Sequence, residues 1–154
     1  MRTLVSDTLQ KLHPEIKFSE NSVELCLGTI AQESGYGKHR KQIGGGPGLG
    51  IVQMEPDTFN DCVNNYLKFR PNIANKIKAI SGVSTFNSSD IEHNDVLAIC
   101  MMRVKYARDK QPIPENLNGW ASYWKRVYNS EQGAGKPEEF IFNYKFHVLK
   151  EALV

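Results

Sequence analysis

The sequence predicts a single, predominantly helical α+β domain over residues 1–154. The chain is 40% apolar and 23% charged, which is typical of one globular domain of this length. Along most of the chain, apolar residues recur at helical spacing behind capping residues or prolines. Extended signals are confined to two short segments, Leu49 to Met54 and Val83 to Phe86. Helices therefore carry the predicted fold, and strands contribute little to it.

The helices are predicted from their end signals, in chain order. Asn21, with Glu24 in the position that a capping box requires, opens a helix that ends at Ser34, before Gly35. Helices that begin at a proline are predicted at residues 56–69, 71–81 and 137–152. Another begins at the pair Ser89 and Glu92 and covers residues 89–108, and a further helix is predicted at residues 120–128.

Composition and residue spacing exclude several classes of function. The net charge of +2, from 19 basic and 17 acidic residues, is too balanced for a nucleic-acid binder. The glycine-rich run at 44–50 lacks the Gly-Lys-Ser/Thr ending of a phosphate-binding loop. The histidines are scattered without metal-ligand spacing, so neither a metal nor another cofactor is expected. The cysteines are expected to be buried free thiols: Cys26, Cys62 and Cys100.

Residues 1–14 lack a long apolar segment and a small-residue cleavage site, so no signal peptide is expected. The longest apolar run, Val96 to Met102, is far shorter than the roughly 20 residues that span a bilayer. Membrane insertion is therefore not expected. No heptad pattern or long apolar stripe indicates self-association, so a monomer is expected.

The first candidate for chemistry is Glu33, in the last turn of the helix that ends at Ser34. On a helical wheel Glu33 lies beside Cys26, at the edge of the apolar face. Partial burial and the negative end of the helix dipole both raise the pKa of a carboxyl group. A glutamic acid that keeps its proton near neutral pH is what a general acid requires. The alternative is a solvated glutamate at a fraying helix end.

The second candidate is the segment Gly50 to Thr58, directly after the glycine-rich run. Glycine lets a ligand approach the backbone closely, and Gln53 offers both a hydrogen-bond donor and an acceptor. The third candidate is the aromatic segment from Trp120 to Lys136. Its polar-tipped rings suit sugar recognition, and Tyr128 and Asn129 could bond hydroxyl or N-acetyl groups. In the alternative interpretation, part of this segment is one core face of a helix: Trp120, Trp124 and Val127.

Taken in order, these segments resemble the lysozyme-like lytic transglycosylases. That family has a Glu-Ser pair at a helix end, then Gly-Leu-Met-Gln-x-x-Pro-x-Thr, then Tyr-Asn-Ala-Gly. The first motif is matched by Glu33-Ser34, and the second by Gly50, Gln53, Pro56 and Thr58. Tyr128-Asn129 resembles the third, although the longer Ser130-Glu131-Gln132-Gly133 replaces the tight Ala-Gly. The glycine-rich run and the longer third motif also resemble divergent wall-degrading proteins of tailed bacteriophages.

The resemblance implies a lysozyme-like fold with a substrate cleft between two lobes. It implies cleavage of the β-1,4 bond between N-acetylmuramic acid and N-acetylglucosamine in peptidoglycan, with Glu33 as general acid and then base. The implied substrate-binding residues are Ser34, Gly50, Gln53, Met54, Tyr128 and Asn129. The implied partners are peptidoglycan glycan strands and, for a virion-associated protein, phage tail or virion proteins. Such a protein would be made in the host cytoplasm and act on the periplasmic cell wall.

The family's route uses one carboxylate, since the muramic 6-hydroxyl closes a 1,6-anhydro ring. Hydrolysis would instead use a second carboxylate beside the first or across a water molecule from it. Glu55, Asp57 and Asp61 are the nearby candidates in sequence, and the latter two are expected to face solvent. A lytic transglycosylase is therefore favoured, and water remains open as the acceptor.

Two rival functions use the same residues differently. A virion or tail protein could keep the lysozyme-like shape with little turnover, and the lengthened third motif favours this. A peptidoglycan-binding module without catalysis is the other. Release of soluble muropeptides from sacculi distinguishes the enzyme from both.

Overall fold

The computed structural model describes residues 1–42, 44–130 and 132–153. The described chain is predominantly helical, as predicted. Its α-helices are α1 Arg2–Leu12, α2 Glu20–Ser34, α3 Pro56–Asn65, α4 Pro71–Ser81, α5 Asp95–Ala107, α6 Leu117–Tyr123, α7 Pro137–Asn143 and α8 Lys150–Ala152. Short 3-10 helices cover Leu67–Phe69 and Ser88–Glu92, and wider π-helical turns continue α6 over Trp124–Asn129 and α7 over Tyr144–Leu149.

Helices α2 and α5 form the centre of the core. Most of their residues are buried, from Val23 to Ala31 in α2 and from Leu97 to Val104 in α5. Helix α1 packs on both, and α7 packs on α2. The approach of α7 is close because Gly28 of α2 has no side chain: a Cβ there would lie 2.3 Å from Cζ of Phe140. The two central helices thus position residues at their ends, including the Glu-Ser pair that ends α2.

The start of α2 differs from the prediction. Its capping box is formed by Ser19 and Ser22, whose backbone and side chains bond reciprocally, rather than by Asn21 and Glu24. Glu24 instead accepts two hydrogen bonds from the Arg2 guanidinium, at 2.6 and 2.8 Å. The spacing of Asn21 and Glu24 was therefore misleading, because the Glu24 carboxylate pairs with Arg2 of α1 instead of capping the helix.

Other element boundaries also differ in detail. Helix α5 is capped by Asn94, whose Oδ1 accepts from the Leu97 backbone, so Ser89 and Glu92 fall in the preceding 3-10 helix. Helix α3 ends at Asn65 rather than at residue 69. The sequence analysis did not predict α1, although its buried residues recur at helical spacing: Val5, Thr8, Leu9 and Leu12.

The extended segments are smaller than predicted. Leu49 forms isolated antiparallel bridges with Met54 and with Lys41, and residues 83–86 form no strand. The cysteines are free and buried, as predicted. Within the described residues no helix combines the length and the apolar character needed to cross a membrane.

The C-terminal helical segment exposes a row of large apolar side chains. Phe142, Phe146, Leu149 and Leu153 are 66%, 51%, 43% and 87% exposed. The rings of Phe142 and Phe146 stack, with centroids 6.0 Å apart. The monomer stays a prediction, and this exposed apolar surface does not support it.

Candidate functional site

A cleft of about 680 Å³ brings together residues from all three sequence motifs. Its wall contains the end of α2, the segment after the glycine-rich run, one residue of α5 and the turns after α6. The predicted site residues in this wall are Glu33, Gln53, Met54, Tyr128 and Asn129. Thr58, the last residue of the second motif, also lines the cleft. Segments that lie far apart in the sequence therefore form one concave surface.

Glu33 lies partly buried at the carboxyl end of α2, which ends cleanly at Gly35 in a left-handed conformation. Burial raises the pKa of its carboxyl group to about 7, from a usual 4.5. The indole Nε1–H of Trp124 donates a hydrogen bond of 3.0 Å to Oε2 of Glu33. This bond and the positive charge of Lys105 both lower the pKa, but the cost of burying the charge is larger. The alternative of a solvated glutamate at a fraying end is therefore wrong.

Lys105 of α5 lines the same cleft and was missed by the sequence analysis. Its Nζ donates to the backbone carbonyl of Tyr128 at 2.7 Å and lies 4.4 Å from the centre of that residue's ring. Burial lowers the pKa of Lys105, and the nearby Cys62, Glu33 and Glu55 act against this effect. One sequence signal could have identified it: Lys105 is a charged residue within the largely apolar sequence of a core helix.

Gln53 lies in the cleft wall with a left-handed backbone, at a φ of 48°. Its amide nitrogen donates to the carbonyl oxygens of His39, at 3.1 Å, and Gly50, at 2.8 Å. Both of its N–H donors therefore brace the loop, and the acceptor oxygen is the part of the amide left for a ligand. The sequence analysis had expected both functions of the amide to serve the ligand.

Tyr128 also differs from its expected role. Its hydroxyl donates inward to the backbone carbonyl of Val52 at 2.7 Å, and its side chain is 6% exposed. Its ring stacks on that of Tyr106, with centroids 5.4 Å apart. The phenol therefore joins the third motif to the second, and only the ring edge and the backbone of Tyr128 are left for the cleft. Met54, at 2% exposure, contributes similarly as a packed wall.

Ser34 and Gly50, which were predicted to bind substrate, do not line the cleft. Ser34 is buried, and its hydroxyl bonds to the backbone of Ile30, Ile51 and Gly37 rather than to Glu33. It thus anchors the second motif from behind. Gly50, at a φ of 75°, lies against the backbone of Ile91, since a Cβ there would lie 2.2 Å from the Ile91 carbonyl oxygen.

Asn129 holds the loop of the third motif. Its Oδ1 accepts a hydrogen bond of 2.9 Å from Lys125, which also donates to the carbonyl of Gly133 at 2.7 Å. A Cβ at Gly133 or Gly135 would meet the Asn129 side chain at 2.4 or 3.0 Å, so the loop lies directly on it. Glu131, within the same motif, lies outside the described residues.

The aromatic segment is divided between core and cleft. Trp120 and Trp124 are 8% and 0% exposed, which agrees with the core-face interpretation. Trp120 donates its indole N–H to the carbonyl of Pro114 at 2.6 Å, whereas Trp124 donates to Glu33. Val127 lies in the cleft wall. One core tryptophan therefore also holds the candidate acid.

The carboxylates near the second motif have different surroundings. Glu55 lines the cleft together with Glu33. Asp57 is exposed and is not part of the cleft wall. Asp61 accepts from Arg108 at 2.7 Å and from Asn65 at 2.6 Å, and these bonds lower its pKa. Glu55 is thus the candidate second carboxylate.

Among residues 1–42, 44–130 and 132–153, no group of three or more His, Cys, Asp and Glu side chains could hold a metal ion. The chemistry available in the cleft is proton transfer by Glu33 beside hydrogen-bonding groups and the half-buried Lys105. Comparison with protein-family models, with curated proteins and with solved structures finds no match to this chain.

Proposed function

We propose that the protein is a peptidoglycan glycosidase with a lysozyme-like fold, and that Glu33 is its general acid and base. It would cleave the β-1,4 bond between N-acetylmuramic acid and N-acetylglucosamine. The observation that carries this proposal is a carboxyl group with a pKa of about 7 in the wall of a cleft that also contains Gln53, Tyr128 and Asn129.

The first step needs a proton on the leaving glycosidic oxygen. With a pKa of about 7, Glu33 is about half protonated at neutral pH and can then take a proton back as a base. Trp124 holds one carboxylate oxygen at 3.0 Å, which leaves the other oxygen to carry the proton. The amide oxygen of Gln53 and the hydroxyl of Thr58 are the groups of the cleft wall that we assign to the sugar's acetamido and hydroxyl groups.

The favoured reaction is lytic transglycosylation, in which the muramic 6-hydroxyl attacks after the leaving group departs. Glu33 alone is required for that route. Glu55, which shares the cleft, would be the second carboxylate if water were the acceptor instead. We propose a bacteriophage origin, with the enzyme made in the host cytoplasm and acting on the periplasmic wall either at lysis or from the tail at entry.

The test is digestion of purified Gram-negative sacculi, with soluble muropeptides followed by chromatography and mass spectrometry. The natural protein should release muropeptides with anhydro-muramic ends, which are lighter by one water than hydrolysed ends. Glu33→Gln should release none, because an amide cannot donate the required proton. Glu115→Gln makes the same change at an exposed residue outside the cleft and should retain full activity.

Other results of this digestion would contradict different parts of the proposal. Activity in Glu33→Gln would overturn the assignment of the acid. Hydrolysed ends, lost in Glu55→Gln, would replace transglycosylation with hydrolysis. If the natural protein released no fragments, the enzyme proposal would fail. Sedimentation with sacculi would then favour a binding module, and no sedimentation would favour a virion structural protein.

A further inference from the structure

A second cavity, of about 450 Å³, shares no lining residue with the cleft among the described residues. Its wall combines the segment before α2, the start of α2, part of α5 and the loop that follows α5. Cavities of this size are in the range of small-molecule sites, roughly 300–1,000 Å³. We call it the Arg103 pocket, after the cation of α5 in its wall.

Arg103 is 8% exposed, so the residue as a whole is more than nine-tenths buried. Within the described residues, its hydrogen bonding is limited to one long contact of 3.4 Å, from Nη2 to the carbonyl oxygen of Lys17. The ion pairs of the described chain do not include it. Burying a charge without a counter-charge is costly, and a bound anion would offset that cost at the Arg103 guanidinium.

Two nitrogens of the Arg103 guanidinium group have no hydrogen-bond partner among the described residues. Nε and Nη1 of Arg103 are not among the fully buried side-chain atoms that lack a partner in the described chain, so they retain some accessible surface. Because Arg103 lines the pocket, we infer that this surface is directed into it.

The acidic residues of the pocket wall already have partners. Glu15 pairs with Lys76 at 3.3 Å, and Asp109 pairs with Arg126 at 2.9 Å. Lys17, also in the wall, is exposed and makes no ion pair among the described residues. The unneutralised charge in the pocket is therefore positive.

The start of α2 adds to this positive field. Ser19, the N-cap, and Asn21 both line the pocket, so the N-terminal end of this 15-residue helix borders it. Helix N-termini carry a partial positive charge and favour anions. The rest of the wall includes the half-buried Tyr66 and Ile113 and the largely buried Tyr123. These apolar surfaces would contact the body of a ligand rather than its charge.

We propose that the Arg103 pocket binds a small carboxylate carried on an aromatic or apolar body. Arg103 supplies the buried charge and N–H donors, Lys17 adds a second charge at the exposed side, and the tyrosine rings contact the apolar body. A free inorganic anion would leave the apolar wall unused, so a carboxylate with a ring or chain fits better.

Isothermal titration calorimetry with three probes tests this proposal. Benzoate should bind, whereas benzamide, the neutral isostere, should not. Inorganic phosphate should bind more weakly than benzoate, because it cannot use the tyrosine walls. In parallel, benzoate should shift the Nε–Hε NMR signal of Arg103. Benzoate should bind Glu33→Gln as tightly as it binds the natural protein, which separates this site from the proposed catalytic one.

Matched variants assign the binding to Arg103. Arg103→Met should weaken benzoate binding about 10- to 100-fold, and Arg103→Lys about 10-fold, because each removes charge-assisted donors. Lys17→Met, at an exposed position, should weaken it by no more than about 5-fold. Lys110→Met removes the same charge from an exposed neighbour outside the pocket and should leave the affinity unchanged.

The proposal fails if benzoate does not bind, if benzamide binds equally well, or if neither Arg103 variant weakens binding. If Arg103→Met does not fold, Arg103→Lys and Lys17→Met still decide the question. Phosphate binding as tight as that of benzoate would overturn the role of the apolar wall.

Discussion

Trp124 donates its indole N–H to Oε2 of Glu33 across 3.0 Å, which joins residues 91 positions apart in the sequence. The bond fixes the orientation of the carboxyl group at the end of α2. It also favours the charged form of Glu33, against the larger opposing effect of burial. The pKa of about 7 is therefore the balance of two contributions that substitutions can separate.

Trp124→Phe should raise the pKa of Glu33 further. Phenylalanine keeps a ring against Phe140 but cannot donate the hydrogen bond that stabilises the carboxylate. A rise of roughly one pH unit or more is expected, since hydrogen bonds to charged groups contribute about 1.5–3 kcal/mol. The pKa is measured by following the NMR chemical shift of the Glu33 carboxyl carbon as the pH changes. Trp120→Phe, in the same helix, loses a bond to Pro114 instead and should leave this pKa unchanged. A fall in the pKa in Trp124→Phe would contradict the role of the indole.

Glu33 should make the protein less stable as the pH rises. Its pKa is about 7 when folded and 4.5 in the usual unfolded reference, so the folded state binds the proton more tightly. Stability from this group is therefore complete below about pH 4.5 and is lost as the pH rises to about 7. Over this pH range the free energy of unfolding should fall by about 3 kcal/mol because of Glu33. Glu33→Gln should remove this dependence, so the free-energy difference between variant and natural protein should change with pH. Urea denaturation from pH 4 to pH 8 tests this, and a constant difference would contradict it.

Gly50→Ala should destabilise the fold strongly. The new Cβ would lie 2.2 Å from the Ile91 carbonyl oxygen, and the backbone φ of 75° is unfavourable for alanine. Gly82→Ala is the matched control, because its φ is 79° and a Cβ there meets nothing within 4 Å. The control should lose about 1–2 kcal/mol from its backbone conformation alone. Gly50→Ala should lose at least about 3 kcal/mol. Equal losses in urea denaturation would show that the contact with Ile91 is unimportant.

Tyr128→Phe should reduce stability more than substrate affinity. Its hydroxyl donates to the carbonyl of Val52, and removing that donor leaves a buried acceptor unsatisfied. The expected loss is about 1–3 kcal/mol. If the proposed function is correct, KM should change little, because the phenol is directed inward. Thermal unfolding and muropeptide release provide the two measurements. A large rise in KM with unchanged stability would restore the sugar-binding role of the hydroxyl.

The helical class was predictable because helix signals are local. Pro71 and Gly82 mark both ends of α4, and Gly35 marks the end of α2. The predicted cap at Asn21 failed because its residue types match the pattern, whereas Glu24 bonds to Arg2 of α1, which only the tertiary structure reveals.

The candidate site was predictable only in part, for the same reason. The order and spacing of motifs identified Glu33, Gln53 and Tyr128, which the fold brings into one wall. The inward direction of the Tyr128 hydroxyl and the bond from Trp124 to Glu33 depend on contacts between distant segments. Local periodicity contains no information about such contacts. The same limit applies to Lys105, whose position in the cleft depends on where α5 meets the turn after α6.

Tyr106 stacks on Tyr123 of the Arg103 pocket at 5.6 Å and on Tyr128 of the cleft at 5.4 Å. Along this stack, the rings of Tyr106 and Tyr128 separate the Arg103 pocket from the cleft. Protein interiors are close-packed and only slightly compressible, so a displacement of Tyr123 would be transmitted in part to Tyr106 and Tyr128. An occupant of the Arg103 pocket that displaced Tyr123 would therefore push on a side chain in the wall of the cleft.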